Sequence, residues 1–226
     1  MNKADFIQWA HTREAGYKPS AQVVRDLAGI TLIAIVGPSG VGKTTMINKL
    51  SLHHIEGDTT RDRRPEETNA AYHFRTDYDA IRRDIENGVY IQFRISEWDE
   101  LYGIRRSALP ESGLCTMAIV ASEVPAFERL GFNRVQKIYI VPPNYTVWME
   151  RLGNSRHDLH ERFMEARESL GIALGDSDYI FVLNDNLDQA VADVQAAVAG
   201  VDQASHTQEE ARHIAEQLLE QLTAEQ

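Results

Sequence analysis

Cysteine is almost missing from this 226-residue chain. Its one copy, Cys115, lies in an apolar run, so no intramolecular disulfide can form and the chain reads as a protein of a reducing compartment with a buried structural thiol. A basic excess is missing as well: 23 Lys and Arg stand against 34 Asp and Glu, a formal net charge of -11. A surface of that sign repels nucleic acid and anionic lipid, so an anionic ligand must be captured by a local basic pocket. No apolar run reaches the length of a membrane span. Residues 1–29 mix Asp5, His11, Arg13 and Glu14 with their apolar residues and lack an uninterrupted signal-peptide core. The expected setting is the cytoplasm, with small-molecule partners and neither nucleic acid nor membrane. Internal repeats are missing, and His53, His54, His73 and His157 match no recognised zinc spacing.

The rest of the composition, 43% apolar and 25% charged, excludes neither an enzyme nor a binding module. The length suits one domain with appendages. Three zones are expected: an N-terminal helical extension over 1–30, a main α/β domain over 31–200 and a polar helical tail over 201–226. In the first, Phe6, Ile7, Trp9 and Ala10 predict an amphipathic helix, and Ser20 caps a second that reaches Leu27. Four apolar runs, 32–36, 114–121, 138–141 and 179–183, have the character of buried parallel strands. Helical patterns over 44–52, 77–87 and 187–198 alternate with them, which predicts an α/β sandwich. From Val89 to Ile95, apolar Val89, Ile91, Phe93 and Ile95 alternate with Tyr90, Gln92 and Arg94, the pattern of a strand buried on one face. In the tail, Ile214, Leu218 and Leu222 recur at helical spacing and predict docking, on the domain in preference to a partner.

The most specific motif is Gly37-Pro38-Ser39-Gly40-Val41-Gly42-Lys43-Thr44, which satisfies G-x-x-x-x-G-K-[ST] between an apolar strand and an amphipathic helix. The glycines let successive backbone N–H groups point at phosphate oxygens. Ser39, Gly40, Val41, Gly42, Lys43, Thr44 and Thr45 are therefore the candidate residues for binding a nucleoside triphosphate, which the family resemblance below makes ATP. Lys43 would reach the β- and γ-phosphates, and the Thr44 hydroxyl would be the protein ligand of Mg²⁺. The loop by itself does not separate a kinase from an ATPase or GTPase.

After the loop comes Thr59-Thr60-Arg61-Asp62-Arg63-Arg64-Pro65-Glu66-Glu67, a basic cluster in an acidic protein. Arginine forks fit phosphate bidentately, so the segment reads either as a grip on an acceptor phosphate or as a solvated basic loop. In order along the chain stand GPSGVGKTT, Thr59 to Arg61 with Arg64 and Glu67, Tyr72 with Phe74, Tyr102-Gly103, and Asn184-Asp185-Asn186-Leu187. With these the chain resembles the guanylate kinases from about Leu32 to Val198. That family carries GPSGxGK[ST], T-T-R-x-P-R-x-G-E, Y-x-F, Y-G-[ST], an arginine-bearing lid and a late N-D-D/N-L.

The resemblance implies a P-loop three-layer sandwich with a mostly parallel central sheet, a nucleoside-monophosphate-binding subdomain over about 57–107 and a lid over about 151–162. It also implies an ATP- and Mg²⁺-dependent nucleoside monophosphate kinase. Arg61, Arg64, Tyr72 and Tyr102 match residues that hold the acceptor phosphate, and Asn184 matches the asparagine beside the adenine. Among the arginines from Arg151 onward, Arg156 and Arg162 match those of the lid and, with Lys43, would be catalytic. For these two the alternative is a surface ion-pair network with Glu161, Glu165 and Glu168.

The departures concentrate on the base. Gln92 stands where the family has a guanine-reading carboxylate, and an amide cannot accept two hydrogen bonds in its place. Ile104 replaces a hydroxyl residue, while Ala118 and Val120 fall where aspartates are expected. Arg94 adds a cation, and the lid is short. Phosphoryl transfer with altered acceptor choice is the expectation, unless Glu97, Asp99 or Glu100 reads the base instead. The other readings are a kinase for another monophosphate or a phosphorylated sugar, and a non-catalytic binding module of the same fold. The oligomeric state is left open, a homodimer included.

Overall fold

A computed structural model of the chain describes residues 1–63, 72–96, 98–153, 159–201 and 205–224. In chain order the elements are α1 (Lys3–Glu14), α2 (Ala21–Leu27), β1 (Ile30–Val36), α3 (Lys43–Lys49), β2 (His53–His54), β3 (Gly57–Thr59), β4 (Tyr72–Phe74), α4 (Tyr78–Glu86), β5 (Tyr90–Ile95) and β6 (Leu101–Arg105). There follow β7 (Gly113–Ala118), α5 (Val124–Glu128), β8 (Arg134–Val141), α6 (Tyr145–Leu152), α7 (Leu159–Leu174), β9 (Tyr179–Leu183), α8 (Leu187–Val198) and α9 (Ser205–Ala224). The strands form a five-stranded, mostly parallel sheet in the order β2-β7-β1-β8-β9 and a four-stranded sheet in the order β4-β3-β6-β5.

The helical patterns settle close to where side-chain spacing and caps put them. α8 spans the residues read from the sequence, because the Asn186 side chain accepts from the N–H groups of Asp188 and Gln189 and fixes its start. Asp77 caps α4 in the same way through Ala80 N, and Gly88, at φ 65°, follows its end. The apolar run expected to be a strand over 114–121 pairs only as far as Ala118. Beyond it, Ala121–Glu123 form a 3-10 turn that leads into α5, whose first turn carries a proline. Leu114 is exposed, unlike the buried residues of β1.

The chain divides into two compact units. The first comprises Met1–Thr31, His53–Cys115 and Leu130–Asn133. Its core joins Phe6, Ile7 and Ala10 of α1 to Ile81 and Ile85 of α4 and to Tyr90, Phe93, Ile95 and Leu101 of the four-stranded sheet. Burying these side chains stabilises the unit by about 1.5–3 kcal/mol for each large one.

The second unit comprises Leu32–Leu52, Thr116–Arg129 and Arg134–Gln226. Ile33, Ile35, Ile138, Ile140 and Val182 of its strands pack against Met46 and Ile47 of α3 and Ala190, Val191, Val194 and Ala197 of α8. The tail helix α9 lies against β9 and α7 of the same unit. It buries Ala211, Ala215, Leu218 and Leu222, while Ile214 is only half-buried. No described helix is long and apolar enough to cross a membrane.

Candidate functional site

The phosphate loop belongs to the second unit and joins β1 to α3. Gly37 and Gly42 lie at φ 144° and 96°, where a side chain is strained. A Cβ would also be crowded out, at 2.6 Å from the Ile140 carbonyl oxygen for Gly37 and 2.8 Å from Asn184 Nδ2 for Gly42. Val41 between them is fully buried in the core. Two side chains then fasten the loop from outside. Trp148 Nε1 donates to the Ser39 carbonyl at 2.8 Å, and Asn184 Nδ2 donates to the Val41 carbonyl at 2.8 Å. Asn184 is itself held by its backbone N–H on Val141 and by an Arg151 guanidinium hydrogen bond of 2.9 Å to its carbonyl. Arg151 therefore fastens the 184 turn, although its sequence position grouped it with the lid.

Lys43 opens α3, and its Nζ donates to the carbonyls of Gly37 at 2.5 Å and Pro38 at 2.9 Å. Burial pushes its pKa down to about 8, and the Glu165 carboxylate on α7 pulls it back up. The ammonium thus stays charged near neutral pH, inside the curl of the loop. Thr44 and Thr45 are exposed on the first turn of α3, and Gly40 lies beside Leu152. Arg162 is half-buried on α7. Arg156 lies outside the described residues.

The basic cluster and its aromatic partners belong to the first unit. There the four-stranded sheet fixes which residues share a face. Parallel pairing sets Gly57 beside Tyr72 and Thr59 beside Phe74. Antiparallel pairing sets Thr59 beside Tyr102, Gln92 beside Ile104 and Arg94 beside Tyr102. One face therefore presents Tyr72, Phe74, Thr59, Tyr102, Ile104, Gln92 and Arg94. Arg61, 8% exposed, lies over this face with its Cζ 5.4 Å from the Tyr72 ring centre and 5.1 Å from that of Phe74. Tyr72 meets Tyr102 edge-on at 5.7 Å, and Arg94 Cζ lies 5.6 Å from the Tyr102 ring centre. Burial is the main reason the Tyr102 pKa is raised, and Glu100, which accepts from its hydroxyl at 3.2 Å, adds to it. Arg64 and Glu97 lie outside the described residues.

The alternation read over 89–95 fails at Tyr90. A register irregularity between Tyr90 and Gln92 pairs them with Arg105 and Ile104, which are adjacent, so the two side chains emerge on opposite faces. Tyr90 is fully buried, and its hydroxyl donates to Asp58 Oδ2 at 2.6 Å. Asp58, 1% exposed, also holds Arg75 at 2.9 Å and Arg105 at 2.9 Å, and Arg75 holds Asp84 at 2.8 Å. Sequence reasoning missed this network because its members come from β3, α4, β5, β6 and the segment after β4, with no local spacing to betray them. Trp148 was missed for the same reason.

Other reactive candidates fall away. Burial pushes the Cys115 thiol up to about 12, so it is inert near neutral pH. His73 pairs with Glu56 at 3.2 Å and His53 meets the Ala108 carbonyl. Among the described residues no group of three or more His, Cys, Asp and Glu could hold a metal.

The family model for guanylate kinase matches residues 29–201. A guanylate kinase of Caulobacter vibrioides is 30% identical over 180 residues, covering 72% of this chain and 81% of that protein. One of Corynebacterium efficiens is 30% identical over 190 residues, covering 75% and 95%. The crystal structure of guanylate kinase from Anaplasma phagocytophilum is similar in fold, with a TM-score of 0.54 at 19% identity, over 84% of this chain and 94% of that one. Agreement over so much of the chain, with relatives that align along most of their own length, makes it a member of the guanylate kinase family and hence a P-loop kinase.

Proposed function

We propose that the protein transfers the γ-phosphate of ATP to a nucleoside monophosphate, a GMP- or dGMP-like acceptor, giving the diphosphate by direct transfer. The observation that carries this reading is Lys43: a charged ammonium gathered inside a glycine-shaped loop whose amides suit a polyphosphate. Gly40, Val41 and Gly42 with Ser39, Thr44 and Thr45 hold the donor, and Asn184 keeps the loop in shape at the adenine end. Thr44, exposed on the first turn, suits Mg²⁺, which keeps several waters and draws its remaining ligands from phosphate. When bound, that ion neutralises charge on the phosphates. Arg61, with Arg64, Tyr72 and Tyr102, grips the acceptor phosphate. Arg162, with Arg156, stabilises charge on the transferring group, and the lid over 151–162 excludes water from it. No general base is required, because a phosphate monoester oxygen is already anionic near neutral pH.

A second reading shares this machinery and changes the acceptor to another monophosphate or a phosphorylated sugar. It is favoured by the face that carries Gln92 and Ile104, where the paired strand positions offer no carboxylate to accept from guanine. The test is ADP release with ATP, Mg²⁺ and a panel of GMP, dGMP, AMP, CMP, UMP and ribose 5-phosphate. Preference for GMP or dGMP upholds the first reading, and preference for another member upholds the second. Silence with all of them, in a protein that still binds ATP, would sink both. Lys43→Ala should abolish turnover with the fold retained by circular dichroism.

A further inference from the structure

The four-stranded sheet divides its acceptor face into two rows. Cross-strand pairing places Tyr72, Gly57, Ile104 and Gln92 in one and Phe74, Thr59, Tyr102 and Arg94 in the other. Gln92 and Ile104, the departures from a guanine-reading wall, therefore share the first row. Arg94 shares the second with Tyr102, a residue assigned to the acceptor phosphate. The rings and guanidinium groups continue across both rows. Arg63 lies 4.7 Å from Phe74, Arg61 5.1 Å from Phe74 and 5.4 Å from Tyr72, Tyr72 5.7 Å from Tyr102, and Arg94 5.6 Å from Tyr102. Two arginines thus flank the tyrosine pair, Arg61 on the β4 side and Arg94 on the β5 side.

We infer that Arg94 is a further acceptor-binding residue, a guanidinium that reaches the acceptor's phosphate group from the β5 side of Tyr102. This deepens the kinase reading of the same site and rests on it. Arg94 is exposed beside the Tyr102 ring, whereas Arg61 is buried against Tyr72 and Phe74. A planar fork stacked near an aromatic ring is oriented at little entropic cost and can still donate in its own plane. Glu100, the carboxylate that accepts from Tyr102, precedes Leu101, the partner of Ile95, and so lies past Arg94 and away from the Gln92 row. The inferred anion site lies along the row of neighbours Arg61, Tyr72, Tyr102 and Arg94, so that recognition of the acceptor shifts from its base toward its phosphate.

The experiment compares wild type with Arg94→Ala and Arg94→Lys, using whichever panel member turns over best. A charge-assisted hydrogen bond to phosphate predicts an acceptor KM raised about tenfold or more in Arg94→Ala, with kcat and the ATP KM little changed. Arg94→Lys should recover part of the loss, since it keeps the charge without the fork. Unchanged melting temperatures would separate this from a folding defect. A wild-type acceptor KM in Arg94→Ala overturns the inference and leaves the kinase reading standing. If no panel member turns over, the kinase reading fails, and calorimetric titration with GMP in the absence of ATP decides the residue. Weaker binding by Arg94→Ala would then still support a phosphate contact, and equal or undetectable binding by both proteins would overturn it.

Discussion

The Tyr90 hydroxyl donates to Asp58 Oδ2 at 2.6 Å, from a strand position whose neighbour Gln92 looks the other way. One irregularity in β5 thus decides that a tyrosine braces the sheet from behind while a glutamine faces the acceptor side. Desolvation raises the Tyr90 pKa strongly, and the Asp58 carboxylate adds to the shift, so the phenol stays a donor at every physiological pH.

Asp58 is buried between Arg75 and Arg105, and neutralising it leaves two guanidinium groups without their shared anion. Asp58→Asn should lower stability by about 2 to 3 kcal/mol, less than a wholly buried pair would lose because both arginines keep some exposure. Tyr90→Phe should cost about 1 kcal/mol. Urea denaturation of both variants checks this, and wild-type midpoints would show that the network contributes nothing.

Gly103 makes room for the Tyr90 ring, since a Cβ there would lie 2.7 Å from Tyr90 Cε1 and 3.1 Å from Phe93 Cβ. Gly103→Ala should therefore destabilise by about 1–3 kcal/mol through overpacking. Because Tyr102 is its neighbour on β6, the acceptor KM should rise as well. Steady-state kinetics alongside thermal melts would detect a substitution that is tolerated silently.

On the donor side the pressure point is the pair Gly42 and Asn184. Gly42→Ala forces a side chain onto Asn184 Nδ2 at a backbone φ of 96°. Asn184→Ala removes the hydrogen bond to the Val41 carbonyl without adding bulk. Both should weaken ATP binding, Gly42→Ala the more severely, with Asn184→Ala losing about 1–2 kcal/mol. Trp148→Phe, which leaves the Ser39 carbonyl without its indole donor, should show a smaller loss in the same titration.

The lowered pKa of Lys43 gives a pH dependence of definite sign. Burial disfavours the ammonium in the folded chain, so the folded state releases this proton at about 8, before an unfolded lysine at 10.5 would. The contribution of this group to stability therefore increases as pH rises from about 8 toward 10.5. ATP binding runs the opposite way, because phosphates need the charged form. At pH 9 binding should be about tenfold weaker than at pH 7 and should take up a proton. Calorimetry in two buffers of different ionisation enthalpy measures that uptake, and its absence would show that Lys43 is already fully charged or not engaged.

Legibility followed the range of the interaction. The phosphate loop, the helices expected over 77–87 and 187–198 and the strand at Tyr179–Leu183 depend on neighbours within a few positions, and each could be read from spacing alone. The strand expected through Ala121 was misjudged because apolarity persists past the point where a 3-10 turn and a proline-bearing helix take over. At Tyr90 the period-two pattern gave the wrong face, since the irregularity in β5 is defined by its pairing with β6 and is invisible in one strand's sequence.

By itself the sequence determined the curl of the loop that carries Lys43, the alternation of strands and helices, and the set of arginines and tyrosines suited to phosphate, because backbone freedom, periodicity and side-chain chemistry are local properties. Only the tertiary structure decided that Asp58 draws Tyr90 behind the sheet, that Asn184 and Trp148 brace the loop, and that Arg94 falls in the row of Tyr102. Those outcomes depend on pairing between residues distant along the chain, where burial of a charge or a register of hydrogen bonds selects one arrangement that no short window encodes.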